Sequence, residues 1–389
     1  MSVRVVGNHD ERTIAQLRRC VETGGARGVL CADGHLGYAQ PVGGVVAYEN
    51  AISPSGVGFD IACGNLAIRT NLKSSQVQRD NAASRIFREI SFGIGRRNEE
   101  RVDHELFEDD PAWAIPEVAA LKDLATAQLG TVGSGNHYVD VFADEDDTVW
   151  VGVHFGSRGF GHRIATHYLK AAGGKDGMDV PPAVLGAESD LGEQYILAME
   201  LAGRYAYAGR EHVARKVVRD VLGAEGLEEV HNHHNFAWKE RHGGREYWVV
   251  RKGATPAFPG QRGFVGGSMG DISVIIRGVD GDESKENLYS TVHGAGRVMS
   301  RTQAAGKAVW KGGQKVRVSG GRVNFQKVER ELEDRGIVLR GGGADEAPEV
   351  YRSLRSVLDA HGDTIKVERV LQPILVVMAG EDEFDPYKD

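Results

Sequence analysis

The sequence lacks the features that mark several large protein classes. Its 389 residues include three cysteines, Cys20, Cys31 and Cys63, with no CxxC pair. That odd count excludes a disulfide framework, and the spacing matches no zinc finger. No run of eighteen apolar residues occurs, so no helix is expected to cross a membrane. The opening Met1-Ser2-Val3-Arg4 leads into charge rather than an apolar signal core, and a cytoplasmic protein is expected. Positive charge is in deficit: 47 Lys and Arg face 55 Asp and Glu, a net of −8. This argues against a general nucleic-acid scaffold and against DNA as a partner, while permitting a local basic cleft. There is no GxxxxGK[ST] phosphate loop, no internal repeat and no Pro/Gly/Ser linker that would divide the chain.

Glycine is abundant, at 52 residues, scattered in short turn motifs of which several adjoin histidines. Hydrophobic content of 41% and charge content of 26% are ordinary for a soluble globular chain with a sizeable core. Acid gathers at 99–110 and 144–147, read as solvated faces, and in a tail at about 381–389. Base gathers from Arg297 and Arg301 to Arg322 and Lys327.

Apolar periodicity predicts helices over 10–22, 77–90, 115–127, a segment ending at 172, 188–222, 326–335 and 348–360. Strands are predicted at 28–33, 43–48, 65–70, 148–154, 228–235, 271–277 and 371–378, with a hairpin over 241–251 around Gly243-Gly244 and loop over 251–270. The pattern is α+β, and one continuous body over residues 1–389 is favoured over two domains.

Val292-His293-Gly294-Ala295-Gly296-Arg297 is the stretch the chain is organised around. Glycines let backbone N–H groups approach an anion, and a helical run expected from Val298 would add its positive end. Arg297 adds a guanidinium fork that fits phosphate. His293 is then placed to attack phosphorus or to donate to a phosphate, although a plain helix cap would use the same residues. Three other histidines share this setting, at strand ends beside glycine-rich or polar turns: His137 after Gly133-Ser134-Gly135-Asn136, His154 before Gly156-Ser157-Arg158, and His234 before Asn235. Asp60 and Cys63, three apart, can reach one metal together. A thiolate, a carboxylate and imidazoles suit zinc or another divalent transition metal, and the alternative for Cys63 is a small buried hydrophobe. Arg158 and Arg297 each follow a histidine by four residues, as phosphate forks or ion-paired surface arginines. Asn136 and Asn235 would bind a sugar or phosphate oxygen or cap a loop, and Gly266–Gly270 with Ser268 would hold a nucleotide through backbone donors.

Taken in order, Asp33-Gly34-His35-Leu36-Gly37, Gly58-Phe59-Asp60-Ile61-Ala62-Cys63-Gly64, Gly133-Ser134-Gly135-Asn136-His137, His154-Phe155-Gly156-Ser157-Arg158-Gly159, His234-Asn235, Arg251-Lys252-Gly253-Ala254-Thr255, Gly267-Ser268-Met269-Gly270 and His293-Gly294-Ala295-Gly296-Arg297 resemble the RtcB family of RNA ligases. The resemblance implies a single large body of mixed sheets flanked by helices, with a deep metal-lined cleft. It implies GTP- and manganese-dependent joining of RNA 2′,3′-cyclic phosphate or 3′-phosphate ends to 5′-hydroxyl ends, in RNA repair or tRNA splicing. Its substrates would be tRNA halves or cleaved RNA, and an archease-type activator would be a partner. His293 would carry GMP as a phosphoramidate. Asp60, Cys63, His137, His154 and His234 would hold two manganese ions, with Cys63 bridging. Asn136, Asn235, Ser268, Gly294, Ala295, Gly296 and Tyr351 would surround the nucleotide, and Arg158 and Arg297 the RNA phosphate. Three positions depart from the family pattern: Ala379 stands where a lysine at the guanine is usual, Asp140 where a glutamate is usual, and Phe155 where a small residue is usual. An alternative reading is a metal-dependent RNA-end phosphoesterase or cyclic phosphodiesterase with lost or relaxed nucleotide specificity.

Overall fold

A computed structural model describes residues 2–311 and 314–380; the acidic tail at 381–389 lies outside the described residues. Two sheets organise the chain. The first has five strands in the order Ser2–Val5, Arg27–His35, Val42–Tyr48, Arg245–Lys252 and Asn235–His242. It joins the N-terminal segment to a hairpin some 200 residues later, with Val250 opposite Val46. The second runs Arg262–Val265, Ser273–Gly278, Ile365–Gly380, Tyr138–Ala143, Thr148–Phe155, Gly64–Lys73 and Gly226–His233, with Val338–Gly342 parallel to the long Ile365–Gly380 strand. Its two ends approach each other. Phe264 N–H donates to Asn232 Oδ1 at 2.8 Å, and Asn65 Nδ2 donates to the Phe264 carbonyl at 2.9 Å. The sheet is thus bent almost into a barrel, filled by Ala67, Phe142, Trp150, Val230, Phe264, Ile275 and Leu371.

The Asp190–Lys216 helix connects these layers. Ser189 caps it by accepting from Gly192 N at 3.1 Å. Asp190 and Glu193 lie in its first turn and Arg215 and Lys216 in its last, which matches the helix dipole. Its first half packs Tyr195, Met199, Leu201 and Tyr205 into the core under the five-stranded sheet. Its second half packs Val213 and Ala214 against Leu66, Val151 and Phe155 of the eight-stranded sheet. Small residues make this double contact close: a Cβ at Gly203 would stand 2.9 Å from the Phe236 ring.

Most predicted elements are present with shifted ends, and the mixed α+β architecture holds. Several expectations are corrected. The 251–270 segment contains the end of the Arg245–Lys252 strand and the strands Ala254–Pro256 and Arg262–Val265. Arg251 there is fully buried against Glu240, so a charged residue occupies a core position and breaks the apolar alternation. The strand read as 28–33 runs on to His35, which makes Asp33 a buried residue inside the strand rather than its last residue. The helix predicted for 115–127 is two pieces, Pro116–Ala119 and Lys122–Gln128. Most consequential, no helix begins at Val298. The Val298 N–H donates to the Val350 carbonyl and Arg297 bridges Tyr351, so these residues are used in pairing. The helix starts at Arg301, where Ser300 and Gln303 form a capping box. The acidic 99–110 stretch is also more than a solvated face. Leu106 is buried and Phe107 packs on Trp113. No described helix is long and apolar enough to cross a membrane.

Candidate active site

A cavity of about 290 Å³ opens where the two sheets meet. Each metal-type residue reaches it from the end of a strand or a tight turn. Asp60 and Cys63 lie in the turn before the Gly64–Lys73 strand, where Cys63 N–H donates to the Asp60 carbonyl at 3.1 Å. His137 directly precedes the Tyr138–Ala143 strand, and His154 lies within Thr148–Phe155. His234 is the break between Gly226–His233 and Asn235–His242, and its N–H donates to the Cys63 carbonyl at 2.8 Å.

These side chains converge. Cys63 Sγ lies 3.2 Å from His154 Nε2 and 3.6 Å from His137 Nε2, and His137 Nε2 lies 3.0 Å from Asp60 Oδ2. Two triads suited to a cation result, Cys63–His154–His234 and Asp60–Cys63–His137, each with ligand atoms within 4.8 Å of one another. Cys63 belongs to both, so one sulfur stands between two positions. The donor chemistry fits divalent metal. Burial drives the pKa of His154 and His234 well below the usual imidazole value, which keeps their lone pairs free. The carbonyls of Val132 and Asn136 take the Nδ1 protons of His137 and His154 at 2.9 and 3.1 Å and leave Nε2 facing Cys63. His234 Nδ1 is buried with no hydrogen-bond partner among the described residues. Burial would raise the Asp60 pKa, but His137 and Arg158 outweigh it and hold the carboxyl well below its ordinary range. Burial and then Asp60 push the Cys63 thiol upward, a cost that bound cations reverse by favouring thiolate.

His293 enters from the opposite side, at the end of the Ser290–Val292 strand that pairs with Ala254–Pro256. Its ring lies 4.9 Å from that of His234, centroid to centroid. Its Nδ1 donates to Asp33 Oδ2 at 2.6 Å, and the same oxygen accepts from the His293 and Gly294 backbone at 2.9 and 3.3 Å. Burial opposes ionisation of Asp33, yet its contacts with His293 keep the carboxyl below its usual pKa. The pair leaves His293 Nε2 as the free nitrogen. Gly296 makes the approach possible: at φ +74° a Cβ there would stand 2.2 Å from the Asp33 carbonyl oxygen.

The predicted nucleotide residues Asn136, Asn235, Ser268, Gly294, Ala295, Gly296 and Tyr351 all line this cavity. Asn235 is partly engaged, accepting from Gly253 N at 2.7 Å. Arg297 also lines it, with its guanidinium 5.0 Å above the Tyr351 ring, 2.8 Å from the Tyr351 hydroxyl and 3.3 Å from Glu346. Arg158 is not among the residues that line the cavity; it lies behind His137, 3.2 Å from its Nδ1, and fills the space a Cβ at Gly133 would take. Ala379 does not line the cavity. The alternation of the last strand turns Val376 and Met378 toward it and places Ala379 in the core.

Among the residues that sequence reading did not assign to the site, four bear on its chemistry. Asp33 sits in a quoted motif, but a buried strand carboxylate is not distinguishable from a turn residue in sequence. Lys252 lines the cavity, its amine donating to the Tyr38 carbonyl at 2.5 Å and its pKa pushed down to about 8 by burial. Asp140, noted only as a departure, lines the cavity with its carboxyl pKa raised by burial. Arg210, from the long helix, is wholly buried behind the metal-type cluster. Its guanidinium donates to the carbonyls of Ala62 at 2.9 Å and Phe155 at 2.6 Å, and to His231 Nε2 at 2.8 Å and His233 Nδ1 at 2.9 Å. Ala62, Phe155 and His233 are the immediate neighbours of Cys63, His154 and His234.

Residues 13–379 match the family model described as tRNA-splicing ligase RtcB. The chain is 31% identical over 377 residues to the RNA-splicing ligase RtcB of Escherichia coli (strain K12), covering 89% of this chain and 88% of the relative. It is 32% identical over 417 residues to the tRNA-splicing ligase RtcB of Pyrobaculum aerophilum, covering 85% and 83%. It is 32% identical over 410 residues to the RNA-splicing ligase RtcB of Mycobacterium bovis, covering 84% and 90%.

Proposed function

The chain belongs to the RtcB family, and from that membership we propose that it is a GTP- and manganese-dependent RNA ligase. It joins a 2′,3′-cyclic phosphate or 3′-phosphate end to a 5′-hydroxyl end, in RNA repair or tRNA splicing. The observation that carries this reading is the Asp33–His293 pair in the same cavity as the Cys63–His154–His234 cluster. A histidine backed by a buried carboxylate suits attack on phosphorus, because Asp33 holds the Nδ1 proton and stabilises the positive charge that builds on the ring.

In this reading His293 Nε2 attacks the α-phosphorus of GTP; an N–P bond forms and pyrophosphate leaves. A cyclic phosphate end is first opened to a 3′-phosphate by water, whose oxygen bonds to phosphorus while the 2′-oxygen leaves and takes a proton. An oxygen of that phosphate then takes GMP from His293, which returns to neutral imidazole. The 5′-hydroxyl attacks the activated phosphate, and GMP departs as the phosphodiester forms. Asp60, Cys63, His137, His154 and His234 would hold two manganese ions, whose charge would offset that of the polyphosphate. The choice of manganese rests on the family resemblance, since a thiolate–imidazole set is soft enough for zinc. Asn136, Asn235, Ser268, Tyr351 and the Gly294–Gly296 backbone surround the nucleotide. Arg158 and Arg297 bind the RNA phosphate. With Ala379 turned into the core, guanine recognition falls to groups that line the cavity, Ser268 and Asp140 among them.

The test is label transfer from α-labelled GTP and, in parallel, ATP, with manganese, to the wild type and to His293→Ala. Acid-labile label on the wild type alone, from GTP, is expected. Label from both nucleotides keeps the ligase and relaxes its specificity. No label from either, with cyclic phosphate ends still opened, would replace the ligase by a phosphoesterase.

A further inference from the structure

A second depression, about 810 Å³ in volume, is bordered by the start of the loop that leads into the catalytic cavity. Gly130 borders this groove, and Asn136, six residues on, lines the cavity. Between them Gly133 packs on Arg158, while its carbonyl accepts from Gly93 N at 2.7 Å. The segment that follows Gly93 carries Arg96, Arg97 and Arg101 along the groove, and Lys216 faces them from the end of the long helix. Base outnumbers acid along the lining, with Arg88, Arg96, Arg97, Arg101 and Lys216 against Glu89, Glu99 and Glu100, on a chain of net charge −8; Arg101 is also paired with Asp123 at 3.6 Å and Lys216 with Asp220 at 3.7 Å. Glu99 and Glu100 also border the groove, and Glu89 is held by Arg85 at 3.0 Å and Arg88 at 3.2 Å.

Two further observations narrow the ligand. Phe87 is 43% exposed, unusual for a phenyl ring, and stacks on Phe92 with centroids 6.0 Å apart and planes 21° apart, so one aromatic face is presented at the groove wall. The basic segment is also anchored rather than loose. Asn98 N donates to Ala127 O at 2.9 Å and Asn98 Nδ2 to Leu129 O at 2.6 Å, while Gln128 Nε2 donates to the Arg96 carbonyl at 3.0 Å. Guanidinium groups that track a backbone beside an aromatic ring that accepts a base are the requirements of single-stranded nucleic acid. A folded duplex offers no free base face to Phe87.

We infer that this groove is the track for the single-stranded RNA leading to the terminal phosphate at Arg158. The inference rests on the ligase reading and supplies the part of the substrate that lies outside the cavity. It predicts a dependence on RNA length that chemistry at the ends alone would not produce.

The experiment compares the wild type with Arg96→Glu/Arg97→Glu and with Phe87→Ala, none of which touches the cavity. Binding is measured for a single-stranded RNA of roughly 20 nucleotides bearing a 3′-phosphate, and for a trinucleotide with the same end, across a salt series. The charge-reversed variant should bind the long RNA about 10- to 100-fold more weakly, with a salt slope lower by about 1–2. Phe87→Ala should weaken it about 5- to 100-fold with the slope unchanged. Both variants should bind the trinucleotide and accept label from GTP as the wild type does. Equal long-RNA affinity in all three proteins overturns the inference. So does an affinity that is indifferent to Arg96 and Arg97 but rises on removal of residues 381–389, which would assign the groove to the chain's own acidic end. If the wild type takes no label yet the variants lose long-RNA binding, the ligase reading fails and the groove stands.

Discussion

Arg210 offers the sharpest test of how the metal-type cluster is held. Its guanidinium makes four hydrogen bonds, none to a carboxylate, and three of the four go to residues adjacent to Cys63, His154 and His234. Arg210→Met would leave two buried carbonyls and two imidazole nitrogens without their donor, at about 1–3 kcal/mol each. Part of that loss is offset, because a buried cation is itself costly to desolvate by several kcal/mol. The net expectation is a destabilisation of about 2–4 kcal/mol. Metal affinity separates two roles. If Arg210 acted only as a nearby positive charge, its removal would tighten cation binding. If it positions the backbone beneath the ligands, affinity should fall about 10- to 100-fold, the usual effect of losing an outer support. Arg210→Lys divides the two further, since it keeps the charge and loses the fork. Cobalt titration, read through the thiolate-to-cobalt charge-transfer band, reports the Cys63 site directly, and urea unfolding of the metal-free proteins gives stability. Weaker cobalt binding in both variants is expected. Unchanged affinity in Arg210→Lys together with tighter binding in Arg210→Met would refute the positioning argument.

Two other predictions follow from buried pairs. Asp33→Asn keeps the size of the side chain and removes the charge behind His293; the rate of label transfer from GTP should fall by about 10²–10⁴, with cobalt affinity unchanged. Quenched-flow labelling beside a cobalt titration would show it, and an unaltered rate would remove Asp33 from the chemistry. His361 is buried, its Nε2 accepts from Ala32 N at 3.3 Å, and burial lowers its pKa to about 4. The unfolded chain binds a proton there between pH 4 and 6.5 that the folded chain refuses. This site therefore costs stability progressively as pH falls through that window, by up to about 3 kcal/mol. Unfolding free energies of His361→Asn across the same range should show a correspondingly flatter profile, and parallel profiles would contradict the assignment.

The metal-type residues were legible in the sequence because each pairs a ligand-type side chain with a strand end beside a turn, a local pattern. That His137, His154, His234 and His293 would share one cavity was not local information. It depends on the pairing of Gly64–Lys73 with both Thr148–Phe155 and Gly226–His233. The errors have a common physical origin. Arg251, Lys252 and Asp33 are buried polar residues stabilised by partners remote in sequence, so periodicity ends the strands at or before them. At Val298–Ser300 the local helix preference lost to pairing with the 350–351 segment. Arg210 lies on a helix face that otherwise reads as core, and nothing nearby in sequence indicates the carbonyls it meets.

The order of strands in the larger sheet has a consequence for biosynthesis. Ile365–Gly380, the last described strand, lies in the interior of the sheet, between Ser273–Gly278 and Tyr138–Ala143. Until it leaves the ribosome, the hairpin of Arg262–Val265 and Ser273–Gly278 has no sheet neighbour on its inner side, and the strand that follows His137 has one partner instead of two. A nascent chain can therefore expose every ligand-type side chain while the cavity that would unite them is still unbuilt. Assembly of this sheet awaits synthesis of residues 365–380, and a chain interrupted before residue 365 holds the hairpin only by its far edge, through Phe264 and Asn232.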